Sequence, residues 1–127
     1  MLFRSERAGL RGRVHIERRA LADCGPPAGR YAAGGLFVVN PPYGERLGDV
    51  ERLGPLYEEI GNVLRHRFTG WTGYVLAGSP PLAKRIGLRP AQRIVLYNGA
   101  IECRLLKLPI SETKVQSAEG PGWRRRR

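Results

Sequence analysis

The sequence predicts an α/β domain built on a largely parallel sheet, and three observations carry that prediction. Two short apolar runs, 35–39 and 72–77, flank a long amphipathic stretch at 50–68, which is β–α–β spacing. A second helical stretch, 80–86, follows the second run. Two β-rich stretches, 92–97 and 100–108, then close on Asn98-Gly99, a strong short hairpin signal that turns the last strand antiparallel. With 127 residues the chain holds one domain at most.

The elements follow in order. Residues 1–13 read as a helix end and a turn, with Gly9 and Gly12 as stop signals. Residues 14–19 alternate apolar and polar, the pattern of a short half-buried strand. Gly25, Pro26, Pro27, Gly29 and Gly34 make 23–34 a loop. The continuous apolar run 35–39 suits a strand covered on both faces, and Pro41-Pro42 end it at once. In the next stretch Leu53, Leu56, Tyr57, Ile60, Val63, Leu64 and Phe68 recur at steps of three and four. Pro55 belongs in a first turn, so the regular helix is expected over 54–67, with Leu56, Ile60, Val63 and Leu64 covering one sheet face. Ser79 is placed to cap the helix at 80–86, with Pro80 or Pro81 in its first turn and Gly87 at its end. Residues 111–127 lose periodicity, end in four arginines and read as a basic disordered tail, leaving 1–110 as the folded part.

Composition narrows the function. Twenty-two basic against eleven acidic residues give a net charge of +11, which points to a polyanionic partner, nucleic acid first. No apolar run has the length of a membrane span, and the N-terminus lacks the apolar stretch of a signal peptide. Cys24 and Cys103 stand far apart without a CxxC or paired histidines, so they read as free thiols in a reducing cytoplasm and no metal site is expected.

The stretch with chemical content is Asn40-Pro41-Pro42-Tyr43, at the end of the first apolar run. Ligands on α/β sheets bind outside the carboxyl ends of the strands. An asparagine carboxamide supplies an acceptor oxygen, and proline, having no N–H, leaves nearby peptide carbonyls free. Together they can take both protons of an exocyclic amine and aim its lone pair at an electrophile. The Tyr43 ring offers a face for a flipped base. Fixed proline φ angles organise the loop in advance.

Asn40-Pro41-Pro42-Tyr43-Gly44-Glu45-Arg46-Leu47-Gly48 resembles the corresponding stretch of bacterial large-subunit ribosomal RNA guanine-N2-methyltransferases, the type carrying an RNA-binding THUMP domain. The resemblance extends through Leu56-Tyr57, Gly61, Phe68-Thr69-Gly70-Trp71 and Leu96-Tyr97-Asn98-Gly99-Ala100-Ile101-Glu102-Cys103, and back to Arg7-Ala8-Gly9-Leu10. It implies a Rossmann-like class I methyltransferase fold, S-adenosylmethionine as methyl donor and a guanine N2 amine of ribosomal RNA as acceptor. Asn40, Pro41, Pro42 and Tyr43 would form the catalytic site, with Tyr43 and Arg46 toward the RNA. Ala20, Leu21 and Asn40 would lie toward the cofactor. The family carries an acidic residue near the adenine, and this chain has Ala20 at that place and Asp23 three residues on.

The family's Gly-rich cofactor loop, its first two strands and its THUMP domain belong upstream of residue 1. The chain therefore reads as the C-terminal part of a catalytic domain, expected to bind cofactor weakly and to lack activity alone. A non-catalytic basic RNA-binding module and an inactive gene remnant are the alternatives. The family sheet order, three-two-one-four-five-seven-six, makes 14–19 the third strand and 35–39 the fourth. Residues 14–19 are then expected either to stay unpaired or to move beside 35–39.

Overall fold

A computed structural model describes residues 4–29 and 34–111. The expected tail beyond Ser111 lies outside the described residues. A helical turn, α1 (Arg4–Arg7), and a 3-10 turn (Leu21–Asp23) precede the sheet. The remaining elements are β1 (Leu36–Val39), α2 (Asp49–Arg67), β2 (Thr72–Ala77), α3 (Pro80–Arg85), β3 (Gln92–Asn98) and β4 (Ile101–Pro109). Among the described residues the sheet order is β1-β2-β4-β3. β1 runs parallel to β2, with Val38 opposite Tyr74, and β4 is antiparallel to both β2 and β3. Three strands thus run one way and β4 is inserted against them. This is the four-five-seven-six part of the order that the resemblance implied.

α2 covers one face of this sheet. Tyr57, Ile60, Val63 and Leu64 are buried with Val75, Leu106 and Leu108, while Leu56 is half-buried at the margin. Gly73 lets Leu64 approach the strand, since a Cβ there would stand 3.0 Å from Leu64 Cδ1. Phe68 bridges the helix end to β1, edge-on to Phe37 at 4.9 Å and to Trp71 at 5.2 Å. α3 crosses α2 closely at Gly61, where a Cβ would fall 1.8 Å from the Ile86 carbonyl oxygen.

Several expectations need correction. Residues 14–19 form no strand. They run as irregular chain with Val14 and Ile16 about half exposed, and they pair with no described strand. They stay unpaired, one of the two expected outcomes. β1 is covered on one face only: Leu36 is 65% and Val38 70% exposed, since no described element packs on that side.

α2 starts at Asp49, five residues before the expected 54, and carries Pro55 in its second turn. Proline cannot donate to the Glu51 carbonyl, but both residues are exposed, so water takes that bond without ending the helix. Ser79 is the N-cap of α3 by position, yet its hydroxyl makes no capping bond. Pro81, at the second helical position, removes one of the two donors such a cap would serve. The hairpin turn is displaced by one residue. Asn98 is still in β3, opposite Ile101, and Gly99 with φ +65° starts the two-residue turn. A positive φ at the first central position alone is the type II′ pattern, which asks for glycine there and places no demand on Asn98.

Candidate active site

β1, β2 and β3 share a direction, so their carboxyl ends lie along one edge of the sheet. The Asn40–Tyr43 loop leaves β1 there and lines a cleft of about 640 Å³. Gly44, Glu45, Arg46, Asp49, Arg52 and Asn98 are among its other walls. Asn40, Pro41, Pro42, Tyr43 and Arg46 are therefore brought together. Ala20 and Leu21 sit apart, at the 3-10 turn, where Leu21 packs against the core. Glu45 and Arg46 are both exposed and form no ion pair with each other.

The loop is pinned from below. The Tyr57 hydroxyl donates to the Pro42 carbonyl at 2.6 Å. Tyr57 itself is fully buried in α2. That carbonyl is thereby engaged on one of its two lone pairs. Among the described residues nothing bonds the Asn40 carboxamide or the Pro41 carbonyl, and both residues line the cleft. The Asn40 side chain and the Pro41 backbone are thus loop acceptors without a partner among the described residues.

Burial pushes the Tyr57 phenol up to about 12, with Tyr43 and Cys103 nearby adding to the rise. Tyr57 therefore remains a donor at any ordinary pH. The sign follows from the raised value: its contribution to stability is complete below pH ~10 and lost as pH climbs toward about 12. Denaturant unfolding across that window should show a loss of about 1–2 kcal/mol, after allowing for solvent screening at the cleft edge. Tyr57→Phe should remove this slope. Parallel curves for the two proteins would assign the loss to other groups.

At the loop's far end, Asp49 holds the start of α2. Its carboxylate accepts the Arg46 N–H and an Arg52 guanidinium N–H, each at 2.7 Å. The Arg52 bond first, then the Arg46 amide, hold this carboxyl below its ordinary range. Asp49 is buried, and its engaged oxygens leave Glu45 as the only other carboxylate among the cleft's described walls.

Among the described residues no glycine-rich turn follows a strand into the cleft, and Asp49 is already engaged by Arg46 and Arg52, so these walls do not supply the usual hold on an adenosyl group.

Tyr57, Asp49, Arg52 and Asn98 are site residues that sequence reasoning misses. Asp49 has a readable signal, an acidic residue after a glycine at a helix start. Tyr57 has none beyond core periodicity. Asn98 carries the signal of a turn residue, which hides its place on the cleft.

The description RMKL-like, methyltransferase domain, matches residues 4–107. The chain is 54% identical over 109 residues to ribosomal RNA large subunit methyltransferase K/L of Allochromatium vinosum, covering 86% of this chain and 15% of that protein. The chain thus spans about one-seventh of that relative's length. Among solved structures, SMU.472 complexed with SAH superposes with a TM-score of 0.72 at 25% identity, covering 85% of this chain and 27% of that one. A structure described as a predicted N6-adenine-specific DNA methylase from Listeria monocytogenes gives 0.64 at 28% identity, covering 84% and 26%.

Proposed function

The chain belongs to the family of RMKL-like methyltransferase domains, and we propose on that footing that its Asn40–Tyr43 loop is the methyl-acceptor site of an S-adenosylmethionine-dependent RNA methyltransferase. The acceptor is the exocyclic N2 amine of a guanine in large-subunit ribosomal RNA. The observation that carries this reading is the division of labour in the loop: Tyr57 bonds the Pro42 carbonyl, while exposed Asn40 and buried Pro41 line the cleft and neither the Asn40 carboxamide nor the Pro41 carbonyl has a partner among the described residues.

The lone pair of a guanine amine is delocalised into the ring and is a poor nucleophile. Accepting its two protons at Asn40 Oδ1 and the Pro41 carbonyl favours a pyramidal nitrogen with its lone pair directed outward. Tyr43 stacks the extruded base, and stacking of this kind contributes ~1–3 kcal/mol. A sulfonium donor, once bound, would supply the electrophilic methyl carbon and leave as the neutral thioether. Proton transfer contributes little, so positioning supplies most of the rate. The donor assignment is supported by the likeness to the SAH complex, and the ribosomal substrate by the name of the 54%-identical relative.

Transfer of labelled methyl groups to ribosomal RNA by the longest protein containing this chain tests the reading, with the RNA digested to nucleosides. N2-methylguanosine is the expected product. N6-methyladenosine would instead place the acceptor with the Listeria neighbour's class, and absence of transfer would sink the enzyme reading.

The charge favours a second contribution, sequence-indifferent RNA binding. For single strands the logarithm of affinity should fall with log salt at a slope near −0.7 per phosphate neutralised, taking the roughly −0.7 of single-stranded nucleic acid. Deleting 112–127, which removes five basic and two acidic residues, should flatten that slope by at most about 3.5. Affinity that ignores salt would remove the electrostatic reading.

A further inference from the structure

We propose that Asn98 and Gly78 are positioning residues for Tyr43, holding its ring as a preset stacking face for the base that enters the cleft. The proposal deepens the acceptor-site reading above and rests on it.

Two contacts hold opposite ends of the same side chain. At the tip, Asn98 Nδ2 donates to the Tyr43 hydroxyl oxygen at 2.7 Å. At the root, Gly78 lies against the ring's attachment. A Cβ at 78 would stand 2.7 Å from Tyr43 Cβ, 3.0 Å from Cγ and 3.3 Å from Cδ1. Gly78 has no positive φ, so the requirement for glycine there comes from Tyr43 and not from the backbone. Asn98 is equally unconstrained by its own turn, since Gly99 alone takes the left-handed conformation and Asn98 remains paired with Ile101. Its side chain is therefore available to the cleft, which it lines.

The three residues are far apart in sequence, but the fold brings them together. Tyr43 follows β1, Gly78 follows β2 and Asn98 ends β3. With those strands running the same way, their carboxyl ends meet at one edge. A ring fixed at both ends has both of its rotatable angles set before a base arrives, so stacking does not incur the ordering cost of a free side chain.

The test uses the 127-residue chain and a single-stranded RNA carrying one 6-thioguanosine, cross-linked by long-wavelength ultraviolet light and mapped by mass spectrometry. The wild type should cross-link at Tyr43. Asn98→Ala and Gly78→Ala should each cut that yield about fivefold or more, because the ring no longer presents one pose. RNA affinity, set mainly by phosphate contacts, should change by less than about twofold. Asn98→Asp can still accept the Tyr43 hydroxyl proton and should recover most of the yield, which a merely structural role at 98 would not predict. Should Gly78→Ala fail to fold, the exposed Asn98 decides, with near-ultraviolet circular dichroism as the folding control. An unchanged Tyr43 yield in Asn98→Ala overturns the proposal and leaves the acceptor reading standing. A wild-type protein with no cross-link anywhere in 40–46 overturns that reading, and the proposal with it.

Discussion

Asn40→Ala is expected to slow methyl transfer roughly 30- to 1000-fold, a barrier increase on the order of 2–4 kcal/mol. The carboxamide is the one side-chain amide in the loop, and among the described residues it has no protein partner to redistribute. Its loss leaves the Pro41 carbonyl holding one amine proton while the other faces solvent. The loop itself should survive, because Tyr57 and Asp49 anchor it without help from Asn40. The effect should therefore fall on kcat, with RNA affinity nearly unchanged, in the longest protein containing this chain. Tyr43→Ala should lower both, since it removes the stacking face. Equal rates for Asn40→Ala and wild type would reduce the Asn-Pro-Pro-Tyr stretch to a structural turn.

Gly61→Ala is expected to destabilise the fold by about 3 kcal/mol or more, at the upper end of overpacking costs. The sign is diagnostic. In an ordinary helix interior the same change stabilises by up to ~1 kcal/mol. Here the new methyl would lie 1.8 Å from the Ile86 carbonyl oxygen, a backbone atom at the end of α3 that cannot swing aside. The helices must separate, opening the contact that buries Leu82 and Ile86. Gly54→Ala, one α2 residue seven positions earlier, is the control. The atoms nearest its Cβ would be those of the Arg85 guanidinium, the far end of a flexible side chain that also bonds Glu58 at 2.6 Å. It should cost little, since an exposed ion pair of that kind is worth ~0–1 kcal/mol. Chemical denaturation of the two variants measures the contrast. Comparable stabilities would mean that the α2–α3 crossing adjusts freely.

What can be read in the residues alone follows periodicity and backbone chemistry. The β–α–β run, the 72–77 strand and the closing hairpin are legible because alternating burial and the 3.6-residue repeat are local properties. The Asn40–Tyr43 loop is legible because its prolines end a strand and its asparagine has few structural uses there. The starts of α2 and of the hairpin turn are misleading for one shared reason. Local preference places Pro55 in a first turn and Asn98 in a hairpin turn, while solvent exposure on one side and strand register on the other override it. Residues 14–19 show the limit most clearly: alternation marks a face that could be half buried, but a strand exists only where another strand offers its hydrogen bonds.

Local chemistry therefore sets the order of the elements from β1 onward, the closing hairpin and the position of the Asn40–Tyr43 loop at a strand's carboxyl end. Which carbonyl stays free, and which ring is clamped, is settled only in the folded chain. Tyr57 reaches Pro42 across fifteen positions, and Asn98 reaches Tyr43 across fifty-five. No local pattern encodes such contacts, because they arise only when parallel strands bring their ends to one edge and a buried helix is set beneath them.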